Sequence, residues 1–309
     1  LNKERNLVLI LDHHPARPAT DPRVHNLDPE LFGLKGDREI SASTTCYLFA
    51  RQWNPENRDL ASLAVVGAVG DGFYVDGRLA GENRKAAAEA AGQGMLVIRT
   101  HKGGETYTMS ADADGRPYLK LAEMLDILGA AGYYQGGPEM GISALLNGFS
   151  PQVHAMVETL TAIKTAAFET EIARLESEGL KKTAHLQWFH VHNRFAPMGV
   201  KMIGVFGQLI RDMQFIDPDR YIVGFQDLPD QIPGFGSMGS DDVKISMRVP
   251  PALEEKIIAG RAPGTDTFFP EATHKLGGFS DACHRLAAAT TLARGLEERL
   301  IAEMDRLLI

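Results

Sequence analysis

Cysteine is nearly missing from this 309-residue chain: Cys46 and Cys283 are its only two, far apart and without the close spacing of a metal-binding pair. That excludes a disulfide-stapled secreted scaffold and a cysteine zinc site. It fits a protein of the reducing cytoplasm. Long apolar runs are missing too, since stretches such as Leu60–Val69 are too short to cross a bilayer and carry polar breaks. No membrane partner is expected, and Leu7–Leu11 is too brief to serve as a secretion signal. Positive charge is in deficit, with 32 Lys and Arg against 40 Asp and Glu for a net charge of −8. This argues against a protein that broadly coats polyanions and leaves open one that grips a few phosphates through a local basic group or a bound cation. There is no internal repeat and no low-complexity tract. What is present, 44% hydrophobic and 23% charged residues, suits a globular chain long enough for two domains.

The most informative stretch is Leu7-Val-Leu-Ile-Leu-Asp-His-His14. Five apolar residues running into an aspartate and two histidines predict a strand buried on both faces whose carboxyl end opens into a loop. In open α/β sheets that end is where sites are built. A strand that is ending can turn successive side chains toward one crevice, and an imidazole beside a carboxylate is a metal-binding pair. The plainer alternative is a loop with two solvated histidines.

Farther along, Ile40–Trp53 and Leu60–Val69 read as helices, the second running into Gly67-Ala-Val-Gly-Asp-Gly72, a tight turn that presents Asp71. A helix over Glu82–Gln93 and a hairpin of Met95–Thr100 with Glu105–Ser110 follow. Pro151 starts a long amphipathic helix that reaches about Leu180. Beyond it come short strands at His185–Val191, Tyr221–Gln226 and Val243–Val249, with helices over Val200–Met213 and Leu296–Leu308. The expected fold is α/β: a mostly parallel-sheet domain over residues 1–150, a connector helix over 151–182, and a smaller mixed α/β substrate-binding domain over 183–309, with the site in the crevice where the two meet.

Asp12-His-His14 after a hydrophobic strand, Val66-Gly-Ala-Val-Gly-Asp-Gly72, and Val243-Lys-Ile-Ser-Met-Arg248 followed by a Gly-Gly pair and a His-x-x-Ala-Ala element together resemble the DHH phosphoesterase superfamily. Leu128-Gly-Ala-Ala-Gly-Tyr-Tyr134, Gly199-Val-Lys-Met-Ile-Gly204 and Tyr221-Ile-Val-Gly-Phe-Gln226 look most like its archaeal RecJ-like exonuclease branch. The resemblance implies a metal-dependent phosphodiesterase that hydrolyses single-stranded DNA or RNA, with two manganese ions in a complete site and magnesium as a possible substitute. It implies that His13 and Asp71 bind one ion, that Asp12 fixes His13, and that His14 faces the scissile phosphate as a hydrogen-bond donor or general acid. In the second domain Arg248 would fork onto a phosphate, Gly277 and Gly278 would let backbone amides approach one, and His284 would match the histidine of a Gly-Gly-His element.

Two features depart from that pattern. Phe279-Ser-Asp-Ala-Cys283 separates the glycine pair from His284, and the upstream Asp-x-Asp and bridging aspartate of the family have no room ahead of Asp12, which suggests an N-terminally incomplete chain. Asp112-Ala-Asp114-Gly115 reads as a turn rather than a substitute, and His25 and Asp28 read as loop residues. Two other functions remain open: a phosphodiesterase for oligoribonucleotides or cyclic dinucleotides, and a non-catalytic replication-complex subunit that docks proteins such as GINS.

Overall fold

The computed structural model describes residues 6–14, 18–110, 115–278 and 280–308. Asp112 and Asp114 lie outside the described residues. The chain divides into two compact units: residues 1–126 with 145–148, and residues 127–144 with 149–309.

The first unit runs β1 (Val8–Ile10), β2 (Val24–Asn26), α1 (Ala42–Trp53), α2 (Ala61–Gly70), β3 (Tyr74–Val75), β4 (Arg78–Leu79), α3 (Gly81–Gly92), β5 (Leu96–His101), β6 (Gly104–Met109) and α4 (Tyr118–Asp126). Ser41 caps α1 by accepting from the Thr44 amide, which fixes the start that the sequence predicts. α2 is apolar all round and correspondingly buried, with Ala61, Ala64, Val65, Val66, Ala68 and Val69 at most 3% exposed. Gly67 lets it approach α1, because a Cβ there would lie 2.3 Å from Ser43 Oγ. β5 and β6 form the expected antiparallel hairpin. β1 differs from expectation. It pairs in parallel with β2 alone among the described residues, and Leu9 and Ile10 are 43% and 37% exposed, so the strand is not buried on both faces.

α5 (Gly137–Asn147) follows, and then the second unit continues with α6 (Pro151–Glu178), β7 (Lys181–Lys182), β8 (Leu186–His190), α7 (Met202–Ile210), β9 (Tyr221–Asp227), β10 (Gln231–Ile232), β11 (Gly236–Ser237), β12 (Asp242–Arg248), α8 (Pro251–Ile258), α9 (Thr265–Lys275), β13 (Ser280–Cys283), β14 (Ala287–Ala293) and α10 (Glu297–Leu307). Its six-stranded sheet has the order β13-β14-β12-β9-β8-β7, antiparallel except for the parallel pair β8–β9. Side-chain alternation divides this sheet between two cores. Leu186, Trp188, Tyr221, Val223, Phe225, Val243, Ile245 and Met247 pack with α8, α9 and α10, whereas Phe189 and Ile222 pack on the other face with α6 and α7. The long helix α6 belongs to this second core through Val153, Leu160, Phe168 and Leu175 rather than standing apart from it. Among the described residues, no helix is long and apolar enough to cross a membrane.

Candidate metal centre

Asp12, His13 and His14 leave the end of β1 with their ligand atoms within 4.8 Å of one another. His13 is 7% exposed, packs its ring 5.3 Å from that of Phe73, and stands 4.4 Å from the His14 ring. Its Nδ1 lies 2.7 Å from the Gly36 carbonyl oxygen. A carbonyl only accepts, so Nδ1 carries the hydrogen and, in the neutral ring, Nε2 keeps its lone pair. That lone pair faces Asp71 Oδ2 at 3.3 Å.

Asp71 is delivered by α2, whose last carbonyls it caps through its own amide, and Gly72 at φ +76° turns the chain away directly after it. Two acceptors facing each other at 3.3 Å repel unless a cation lies between them or the ring is protonated. The spacing also suits two ligands of one ion whose bonds are about 2.1 Å long. The residues therefore fit a divalent metal. They fit a transition ion best, because an imidazole ligand favours one over magnesium.

Asp12 serves a different ring from the one expected. Its Oδ1 accepts from His14 Nδ1 at 3.0 Å and from the His13 backbone amide at 2.8 Å, whereas the His13 ring is oriented by Gly36. Burial pushes the Asp12 carboxyl up, but these hydrogen bonds and the nearby histidines outweigh it and leave the group below its ordinary value. It therefore stays an anionic acceptor that holds His14. Asp28 is 1% exposed and N-caps the turn Pro29–Phe32 by accepting from the Glu30 amide, while His25 is exposed on β2.

In the second unit Arg248 ends β12 on the face covered by α7. Gly204 and Gly207 make room for it there; a Cβ on Gly204 would lie 2.9 Å from Arg248 Nη2. Nη1 donates to Ser246 Oγ and to the Met247 carbonyl, and no carboxylate pairs with it among the described residues. Burial, together with the positive charge of Arg211, lowers its pKa. An arginine held this way has strong use for an anion.

Gly277 and Gly278 end a helix. The Gly278 amide donates to Thr273 O and the Gly277 amide to His274 O, with Gly277 at φ +80°, which is a helix-terminating motif closing α9. Both N–H groups are engaged in closing the helix. His284 lies in the turn between β13 and β14, where its amide donates to Ala287 O.

No protein-family model matches the chain. An uncharacterized protein of Methanocaldococcus jannaschii is 44% identical over 69 residues, which is 21% of this chain and 16% of that protein. Among solved structures, a DHH domain from a protein described as a member of a family of ribosomal proteins superposes with a TM-score of 0.56 at 14% identity, covering 97% of this chain and 63% of that one. RecJ from Thermus thermophilus, solved with Mn2+, superposes with a TM-score of 0.53 at 16% identity, covering 97% of this chain and 41% of RecJ. The chain has the DHH-domain fold. It spans less than two thirds of each of these DHH-fold chains.

A second cluster of this chain, His190-x-His192 at a strand end, is visible in the sequence as two histidines one residue apart. His190 and His192 stack 3.9 Å apart, with Asp227 Oδ1 3.4 Å from His190 Nε2. This group lacks what the first one has. His190 Nδ1 accepts from the His192 amide, so in the neutral ring Nε2 carries the hydrogen and offers no lone pair. Arg294 already sits 2.6 Å from Asp227.

Proposed function

We propose that the chain is the catalytic part of a metal-dependent phosphodiesterase of the RecJ type that hydrolyses single-stranded nucleic acid from an end. The observation that carries this reading is the pair His13 Nε2 and Asp71 Oδ2 at 3.3 Å, with the ring nitrogen left unprotonated by Gly36 and with His14 held by Asp12 alongside. The likeness in fold to RecJ supports it. His13 and Asp71 would hold the ion, manganese by preference. When bound, such an ion supplies charge stabilisation of a phosphoryl oxygen and a nucleophilic water at neutral pH.

The chain's own residues divide the remaining work. His14, whose Nδ1–H is held on the Asp12 carboxylate, would in its doubly protonated form donate the Nε2 proton to the leaving oxygen. Arg248 grips a phosphate remote from the cleaved bond, with a planar fork suited to two oxygens. The test is calorimetric titration of Mn2+ into the wild-type chain, His13→Ala and Asp71→Asn, with hydrolysis of an end-labelled single strand and of a dinucleotide followed in parallel. Loss of Mn2+ binding in both variants and release of mononucleotides from the long strand support the reading. Unchanged binding overturns the metal assignment, and exclusive turnover of the dinucleotide overturns the substrate.

A further inference from the structure

His13 is useful to a cation only while Nδ1 holds the ring hydrogen, and the group that enforces this is the Gly36 carbonyl at 2.7 Å. Gly36 is itself held. Its amide donates to Glu30 Oε1 at 2.7 Å, and Glu30 is anchored in turn because its own amide donates to the Asp28 carboxylate at 2.9 Å. The peptide at Gly36 lies so close to the His13 backbone that a Cβ on Gly36 would fall 1.8 Å from the His13 carbonyl oxygen. No side chain fits, and Gly36 is held on both sides, by Glu30 at its N–H and by His13 Nδ1–H at the carbonyl of the next peptide group.

The Gly36 N–H and the Gly36 carbonyl belong to successive peptide groups joined at its Cα, so Glu30 acts on that carbonyl by fixing the backbone position of Gly36, not by polarising it. A carbonyl held in place behind a ligating histidine sets its tautomer and raises the basicity of the free nitrogen. We propose that Glu30 is a positioning residue for His13, holding the backbone of Gly36 so that its carbonyl keeps Nδ1 protonated and Nε2 presents a lone pair to a divalent cation shared with Asp71. The proposal rests on the metal reading above, and its first readout does not need the metal.

The experiment uses the full chain labelled with 15N. In metal-free protein the His13 ring nitrogens report the tautomer directly, and Mn2+ binding is then read from the electron paramagnetic resonance of the free ion. Wild type should show Nδ1–H as the dominant form. Glu30→Leu should lose that dominance and bind Mn2+ about 10-fold or more weakly, the range seen for partners of metal-bound histidines. Glu30→Gln, whose amide oxygen accepts from the same N–H, should recover most of both. Glu30→Asp keeps the charge but falls one methylene short, and it should behave like Glu30→Leu; if Glu30→Leu does not fold, Glu30→Asp decides. A wild-type tautomer ratio and wild-type affinity in the deciding variant overturn the proposal. If wild type and Asp71→Asn bind Mn2+ equally, the metal reading fails, and the tautomer ratios still decide the role of Glu30.

Discussion

Replacing His14 by Ala should lower turnover on a single strand by about a hundredfold or more while Mn2+ binding stays near normal, because a positioned proton donor is worth roughly that much. Kinetics with calorimetry on the same preparation check both halves. Arg248→Ala should weaken substrate binding by about 1.5–3 kcal/mol, the range for a charge-assisted hydrogen bond, with a smaller loss of turnover at saturation. Arg248→Lys should recover only part of this, since an ammonium keeps the charge and loses the fork. A deficit wholly in turnover would refute the phosphate clamp. The residues differ in how visible they are from sequence. Asp12-His-His14 and Asp71 stand out by their local setting, a strand end and a tight Gly-Asp-Gly turn. Glu30 and Gly36 carry no local mark, because their meaning arises from a peptide brought against His13 from 23 positions away.

Helix ends and faces tell a similar story at the scale of elements. Gly277-Gly278 resembles an anion-binding turn when read alone and a stop signal when read with the helix before it. Gly277→Ala should therefore cost about 1–2 kcal/mol of stability through its left-handed backbone and leave the Michaelis constant unchanged. Gly278→Ala should cost about 1–3 kcal/mol, because a Cβ there would lie 2.3 Å from Leu292 Cδ2 where α9 meets β14. Urea unfolding and steady-state kinetics distinguish these effects from a role in binding.

On α6, Glu171 is 1% exposed and pairs with Arg174 at 2.5 Å and Arg194 at 2.7 Å. Burial raises its carboxyl, but the two guanidinium groups outweigh that and hold it below the ordinary carboxylate range. The stability it contributes is present above the unfolded value of about 4.3 and is lost as pH falls through the lower folded value. Glu171→Gln should lower stability at pH 7 by about 1–3 kcal/mol and flatten its decline below about pH 4.3. Acid titration followed by circular dichroism checks the sign. The helices and strands were legible because capping residues and apolar periodicity are local; the exposure of β1 was not, since it depends on which neighbours pair with it.

Across the whole molecule, a net charge of −8 means that association with a polyanion has to be carried by a few groups and a cation. Binding of a single-stranded oligonucleotide, followed by fluorescence anisotropy at fixed ionic strength, should therefore fall sharply when EDTA removes divalent ions; affinity unchanged by EDTA would count against a metal-dependent grip. The path of the chain has a separate consequence. The backbone leaves the first unit after residue 126, returns for 145–148 and leaves again. No single cut divides the two cleanly. Cutting after 148 leaves Leu128, Ala130, Ala131 and Ala144, which belong to a core of the second unit, on the wrong fragment, and cutting after 126 strips Leu145–Gly148 from the first. Fragments 1–148 and 149–309 should therefore behave as a split protein, aggregation-prone when expressed apart and recovering a native fold through complementation when expressed together.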